Sequence, residues 1–62
     1  MRLHDFNAQV LMDNPTKAAV WLETENGDMW VPRSVLEMSE ADMEGNVECT
    51  VPMWFAEQKG MV

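Results

Sequence analysis

The sequence of residues 18–33 is Ala-Ala-Val-Trp-Leu-Glu-Thr-Glu-Asn-Gly-Asp-Met-Trp-Val-Pro-Arg, and this stretch decides the fold. Two half-apolar segments flank the dipeptide Asn26-Gly27. That dipeptide is typical of a two-residue type I′ turn, because both central positions of such a turn need a positive φ. The stretch therefore predicts a β-hairpin, and we expect the rest of the 62-residue chain to cover or extend it.

The predicted hairpin has two apolar faces. A turn at residues 26–27 pairs Leu22 with Val31 and Glu23 with Trp30. One face then carries Val20, Leu22, Thr24, Met29 and Val31, and the other carries Trp21, Glu23, Trp30 and Pro32, with the two tryptophans as diagonal neighbours. A chain of this length buries only about 60% of the surface that its unfolded form exposes. It can therefore cover one face fully, and the second is left to a short helix or to a partner.

Two further segments alternate with the period of two that is typical of half-buried strands. The first is residues 6–12, which include Phe6, Ala8 and Val10. The residues Asp13-Asn14-Pro15-Thr16 then predict a turn into a strand over residues 17–24. Residues 1–5 are expected to be a loose lead-in, with His4 exposed.

The second alternating segment is residues 46–51, in which Val47, Cys49 and Val51 point to one side. It predicts the last strand of the sheet. Cys49 lies on the inward side of this strand, where a lone cysteine behaves as a small buried hydrophobe.

Residues 52–60 predict a helix of about two turns at the C-terminus. Pro52 suits the first helical position. Gly60 suits a left-handed cap that folds Met61 back on the last turn. A helix this short is marginal alone in water, so it must dock on the sheet. We expect its anchors to be the two adjacent aromatic residues, Trp54 and Phe55.

Residues 33–45 fit two structures. Capping patterns begin at Ser34 and Ser39, and Gly45 is a suitable stop, so a helix over residues 35–44 is one alternative. Ser39 and Asp42 would interrupt the apolar side of that helix. We therefore prefer a short strand over residues 35–38 followed by an acidic helical turn over residues 40–44.

Together these segments predict one domain over residues 1–62. The expected fold is mainly β, in an α+β arrangement. It is a small antiparallel meander or a partly open β-barrel of four to five strands with a short C-terminal helix.

The charge is strongly negative, with eleven acidic residues against four basic ones and a net charge of −7. Nucleic-acid binders gain affinity by neutralising phosphates with lysine and arginine, so this balance argues against ordinary DNA or RNA binding. It fits a basic protein partner, or a small domain kept soluble by like charge. A single cysteine and no long apolar run favour a cytoplasmic protein that does not enter a membrane.

Two short segments of the chain carry a resemblance to known proteins. The first is Met-Trp-Val-Pro-Arg-Ser at residues 29–34, and the second is Val-Pro-Met-Trp-Phe-Ala-Glu-Gln-Lys-Gly-Met at residues 51–61. They resemble an aromatic-aliphatic-Pro-basic-Ser step and a terminal Pro-x-Trp-aliphatic-Ala-Glu-x-Lys-Gly helix of small uncharacterised bacteriophage and prophage proteins. Phe55 departs from the aliphatic residue of that pattern. The resemblance covers about half of the chain and implies a phage-encoded accessory protein with a small β-rich fold, without implying an activity.

The sequence lacks the residue patterns of catalysis. A serine or cysteine nucleophile needs a base within hydrogen-bond reach, and the only histidine lies in the predicted lead-in. Glu40, Asp42 and Glu44 alternate along the chain, but they lack the glycine and the ligand spacing of an EF-hand. We therefore expect no enzyme activity, metal or cofactor.

Three functions remain. The first is an acidic module that binds a host or phage protein, using Trp21 and Trp30 as anchors and the acidic residues as a steering rim. The second is a sharper form of the first, an inhibitor that mimics nucleic-acid charge on a host protein. The third is binding of single-stranded nucleic acid on exposed tryptophans.

A homodimer is a further way to cover the second face of the hairpin. The candidate binding residues are Trp21, Trp30, Arg33, Glu37, Glu40, Asp42 and Glu44.

Overall fold

Five antiparallel strands form one open sheet, and a short helix follows the last strand. The computed structural model describes residues 1–14 and 16–62. The elements are β1 Leu3–Asn14, β2 Ala19–Thr24, β3 Gly27–Pro32, β4 Glu37–Met38, β5 Asn46–Pro52 and α1 Met53–Gln58. The strand order is β3-β2-β1-β5-β4. The predicted mainly β fold with a C-terminal helix is confirmed, and the first three strands form the expected meander.

Strand β1 is the centre of the sheet because it pairs along both of its edges. Its first half pairs with β5, from Leu3 opposite Pro52 to Gln9 opposite Asn46. Its second half pairs with β2. The prediction of a loose lead-in over residues 1–5 is therefore wrong. His4 lies within β1, is half-buried, and stacks on Phe6 with 6.0 Å between the ring centroids.

One face of the sheet carries the core. Its buried side chains alternate along the strands and form one cluster with two residues of α1; the cluster comprises Ala8, Val20, Leu22, Val31, Val47, Cys49, Val51, Phe55 and Ala56. The predicted alternation of residues 46–51 is confirmed, and Cys49 is buried as expected. We refer to this side as the core face and to the opposite side as the outer face.

A β-bulge interrupts the alternation of β1. Val10 is opposite Leu22, whereas Met12 is opposite Trp21, so Leu11 is an extra residue without a partner on β2. A one-residue insertion moves every later side chain to the other face of a strand. Met12 therefore shares the outer face with Trp21 instead of continuing the core row that ends at Val10.

The hairpin forms in a different register from the predicted one. Thr24 is opposite Gly27, and Trp21 is directly opposite Trp30. Of the two residues expected at the centre of the turn, Gly27 has a positive φ, of 102°, and Asn26 does not. The turn is therefore not type I′. A glycine of this kind commonly follows a turn in a three-residue hairpin loop. The pairing shifts by two residues, and a shift of two preserves which residues share a face.

Helix α1 ends as predicted but docks through only one of the two expected anchors. The Met61 N–H donates to the Ala56 carbonyl at 2.8 Å, and the Gly60 N–H donates to the Glu57 carbonyl at 3.2 Å. This is the Schellman arrangement, with φ of 75° at Gly60. Phe55 is buried in the core. Trp54 is 56% exposed, so its predicted role as an anchor is wrong.

The connection from β1 to β2 is a turn stabilised by a side chain. The Asn14 side-chain oxygen accepts hydrogen bonds from the backbone N–H groups of Thr16 and Lys17. Strand β2 begins at Ala19, two residues later than predicted. Pro15, which was expected to set this turn, lies outside the described residues.

The segment from residue 33 to residue 45 differs from both predicted structures. A 3-10 helix spans Arg33–Val35, and β4 covers only Glu37–Met38. The acidic helical turn predicted over residues 40–44 is absent from the structure, which has a loop with a turn there. Pairing with β5 requires an extended backbone at residues 37–38, which excludes the alternative helix over residues 35–44.

Truncation of Leu22 should strongly destabilise the fold. Leu22 is fully buried at the centre of the core face. We expect Leu22→Ala to lower the free energy of unfolding by about 2–5 kcal/mol, because a cavity remains. Leu11→Ala is the matched control, since Leu11 is exposed and should change stability by only about 0.5 kcal/mol. Urea unfolding monitored by circular dichroism measures the free energy of unfolding of both variants. Equal losses of stability in the two variants would contradict this assignment of the core.

Candidate functional site

The outer face carries an apolar row at one end of the sheet. Met12 is opposite Trp21, and Trp21 is opposite Trp30, so the three side chains cross β1, β2 and β3 in one line. The two indole rings lie 5.2 Å apart between centroids and are tilted by 46°. Trp30 is 41% exposed and Met12 is more so. We call these three residues the tryptophan row.

The predicted tryptophan pair therefore exists, and it lies outside the core. Direct pairing brings the rings closer than the expected diagonal placement. The core face carries Phe55 and Ala56 of α1, whereas Trp30 and Met12 of the tryptophan row are exposed. Met12 joins this site only through the bulge at Leu11, for which the sequence holds no recognisable signal.

Acidic and polar residues occupy the next position along the same face. Gln9 is opposite Glu23, and Glu23 is directly opposite Asp28. Glu23 and Asp28 are both exposed. They lie two residues from Trp21 and Trp30, a separation of about 7 Å along each strand. We call Glu23 and Asp28 the carboxylate pair.

A shallow groove continues from the carboxylate pair toward β5. Its polar lining comes from four elements of the fold and includes Asn7, Gln9, Glu23, Ser39, Asp42 and Glu48. Farther along the outer face, Glu37 is opposite Thr50, whose hydroxyl donates to the Asp5 carboxylate at 2.8 Å. The outer face is thus apolar at the tryptophan row, carries acidic and polar residues over its middle, and ends in an apolar pair, in which the exposed Leu3 lies opposite Pro52.

The loop over residues 39–45 is held by Asp42. Its carboxylate accepts hydrogen bonds from the backbone N–H groups of Glu44, at 2.8 Å, and Asn46, at 2.9 Å. These hydrogen bonds, chiefly the one from Asn46, lower the pKa of Asp42 below its usual 3.8. The charge of Asp42 therefore serves the loop, although the residue also lines the groove.

Two contacts tie this loop to the central strand. The Val10 N–H donates to the Gly45 carbonyl at 2.9 Å. The Gln9 side-chain amide donates to the Glu44 carbonyl at 2.6 Å. The predicted acidic residues Glu40 and Glu44 are exposed on this loop and are not part of the groove lining.

Arg33 lies in a different setting from the other candidate residues. Its guanidinium forms an ion pair with Asp13, and its backbone N–H donates to the Ala18 carbonyl at 2.8 Å. Both side chains of the ion pair are about half exposed, where such pairs add only about 0–1 kcal/mol of stability. The structure therefore gives Arg33 a contact at the end of the hairpin, and does not bring it together with the acidic loop.

Other chemistry-bearing residues do not form a site. Burial raises the pKa of the Cys49 thiol to about 11. Among the described residues, no group of histidine, cysteine and acidic side chains is arranged to hold a metal ion. No helix in residues 1–14 and 16–62 is long and apolar enough to span a membrane.

Comparison with protein-family models, with curated proteins and with solved structures found no match. The resemblance to phage proteins therefore stays a prediction.

Removal of the Asp42 carboxylate should loosen the loop in a pH-dependent way. Because the folded state lowers the pKa of Asp42, the carboxylate stabilises the fold above pH 3.8 and loses this effect as the pH falls through its folded-state pKa. We expect Asp42→Ala to lower Tm at neutral pH, and the difference from wild type to shrink on acidification below pH 3.8. Glu40→Ala removes a charge from the same loop and should lower Tm less than Asp42→Ala does. A difference that is constant with pH would contradict this role.

The thiol of Cys49 should react only on unfolding. A buried thiol with a raised pKa has little thiolate at neutral pH. We expect slow alkylation by iodoacetamide in native buffer and fast alkylation in urea, measured by mass spectrometry. Fast labelling of the folded protein would show that the strand carrying Cys49 opens readily.

Proposed function

We propose that this protein is a non-enzymatic, acidic protein-binding module that docks a basic partner on its outer face. The observation that supports this most is the Trp21–Trp30 pair, in which Trp21 is half-buried and Trp30 is exposed, beside an acidic groove. Tryptophan is enriched at the centres of protein interfaces, where a few large side chains provide most of the binding energy. A partner that covers the tryptophan row would remove from water the apolar surface that the fold leaves exposed.

The charge distribution favours a basic partner. The four basic residues all lie outside the five strands of the sheet, and Arg33 is already paired with Asp13. An acidic face attracts a basic protein over several ångströms and raises the rate of association. The rim of the proposed interface comprises Glu23, Asp28, Glu37, Glu40, Glu44 and Glu48.

A sharper form of the proposal is inhibition by charge mimicry. Proteins that bind nucleic acid present basic surfaces that recognise regularly spaced phosphates. The acidic outer face offers carboxylates along one surface, as such an inhibitor needs. Together with the resemblance at residues 29–34 and 51–61, this favours a phage-type accessory protein acting on a nucleic-acid-binding protein in the host cytoplasm.

Binding of single-stranded nucleic acid is the alternative function. The exposed tryptophans support it, because bases stack on aromatic rings without sequence preference. The carboxylate pair opposes it, since Glu23 and Asp28 would repel phosphates brought onto the same rings. A gel shift with single-stranded DNA and RNA at low salt distinguishes the two functions. Retardation would favour the alternative, and its absence would favour a protein partner.

A homodimer would also cover the tryptophan row. Two copies of a chain with a net charge of −7 repel each other, and this repulsion is strongest at low salt. Native mass spectrometry gives the oligomeric state directly. A dimer that dissociates on substitution of Trp30 would identify the second copy as the occupant.

Substitution of Trp30 should weaken partner binding and leave the fold intact. Trp30 lies at the exposed edge of the tryptophan row, and its truncation removes apolar contact area from the interface. We expect Trp30→Ala to reduce affinity by about 2 kcal/mol, the typical threshold of an interface hot spot. The measurement is affinity purification from host lysate with mass spectrometry, followed by calorimetry on the identified partner.

The matched control is Trp54→Ala, because Trp54 is also exposed but lies on α1, outside the tryptophan row. It should retain the partner. The proposal requires that the captured protein be basic and that capture weaken as salt is raised. If Trp30→Ala unfolds the protein by circular dichroism, Trp30 is part of the core and the proposed interface is wrong.

A further inference from the structure

The carboxylate pair is an unfavourable arrangement in the free protein. Glu23 and Asp28 are directly opposite on neighbouring strands and point to the same face. Like charges in this position destabilise a sheet. Among the described residues the only ion pair joins Arg33 and Asp13, so neither Glu23 nor Asp28 forms an ion pair there.

The rings beside this pair are also free of cations. The one cation over an aromatic ring in the described part of the chain is Lys59, at 5.6 Å from the centroid of Phe55. Trp21 and Trp30 present their π-systems on the outer face without such a neighbour. Tryptophan is the aromatic residue that attracts cations most strongly.

We propose that the tryptophan row and the carboxylate pair together hold an arginine side chain of the partner. This inference rests on the proposed function and specifies the chemistry that the outer face recognises. The alkyl stem of the arginine packs on the rings of Trp21 and Trp30. Its guanidinium lies about 7 Å farther along the strands, between the carboxylates of Glu23 and Asp28.

Arginine fits this site better than lysine does. Its planar guanidinium donates several hydrogen bonds in a fixed geometry, so it can bridge two carboxylates. It also stacks on aromatic rings and is more weakly hydrated than an ammonium group. Binding of such a group removes the repulsion between Glu23 and Asp28 and covers the tryptophans in one step. Charge complementarity and the exposed apolar row therefore select the same occupant.

The test uses three synthetic peptides that differ at one kind of residue. One alternates arginine with serine, the second has lysine in place of arginine, and the third has citrulline, the neutral analogue of arginine. Titration into isotopically labelled full-length protein is followed by NMR of the indole N–H groups. We expect the arginine peptide to bind most tightly and to shift the signals of Trp21 and Trp30, with Trp54 unchanged. Equal binding of the three peptides, or absence of binding, would overturn the inference.

Charge substitutions then locate the guanidinium. Asp28→Asn and Glu23→Gln should each weaken the arginine peptide about fivefold, the effect of one partly exposed charge pair. Glu57→Gln removes the same charge from α1 and should leave the affinity within twofold. In the free protein at low salt, Asp28→Asn should raise Tm, because it removes the opposed charges. If Asp28→Asn and Glu23→Gln lose no more affinity for the arginine peptide than Glu57→Gln does, the carboxylate pair is not the binding group.

The outcomes separate this inference from the proposed function. If Trp30→Ala loses a basic partner and the arginine peptide does not bind, the module binds proteins by other chemistry and the arginine site is wrong. If the arginine peptide binds as expected but Trp30→Ala retains the captured partner, that partner does not use the outer face and the proposed interface is wrong.

Discussion

The burial of one sheet face under α1 is the constraint on which the rest of the structure depends. Phe55 and Ala56 of α1 belong to one cluster with buried side chains of β1, β2, β3 and β5, and this cluster is the core of the molecule. Among the described residues α1 is the one α-helix, and its buried Phe55 and Ala56 place it on the core face. The outer face must therefore remain in contact with water or with a partner. The two tryptophans of the hairpin lie on that face because their neighbours Val20, Leu22 and Val31 occupy the core.

Two local features of the backbone organise the outer face. The extra residue at Leu11 turns Met12 toward the tryptophans, and the hairpin register places Trp21 directly opposite Trp30. The same register places Glu23 opposite Asp28, two residues from the tryptophans along each strand. An apolar row and a pair of like charges thus become neighbours, although each is an unfavourable feature in an isolated domain. A partner with an apolar stem and a cationic end satisfies both, which is the physical basis of the proposed arginine site.

The acidic residues of the chain have two different roles. The Asp42 carboxylate accepts hydrogen bonds from backbone N–H groups and so positions the loop over residues 39–45. This loop contacts β1 through the Gly45 carbonyl. In the described part of the chain the carboxylates of Glu23, Asp28 and Glu40 accept no hydrogen bond, and that of Glu44 accepts only one, from the Asn46 side-chain amide at 3.5 Å. A sequence pattern of acidic residues cannot distinguish these roles, since the difference lies in which backbone groups the fold brings near each carboxylate. The negative charge that favours a basic partner is therefore carried mainly by residues other than Asp42.

The sequence by itself determined the features that depend on local periodicity and backbone preference. The alternation of residues 46–51, the burial of Cys49, the glycine cap at Gly60 and the faces of the hairpin could all be predicted, because a register error of two residues does not change which side a side chain occupies. Only the tertiary structure decided the bulge at Leu11, the exposure of Trp54, the inclusion of residues 3–5 in β1 and the loop over residues 39–45. Each of these depends on pairing or packing between segments that are distant in the chain. The candidate site combines both kinds of information: its tryptophans follow from the alternation, and their alignment with Met12 and with the carboxylate pair follows from the register of three strands.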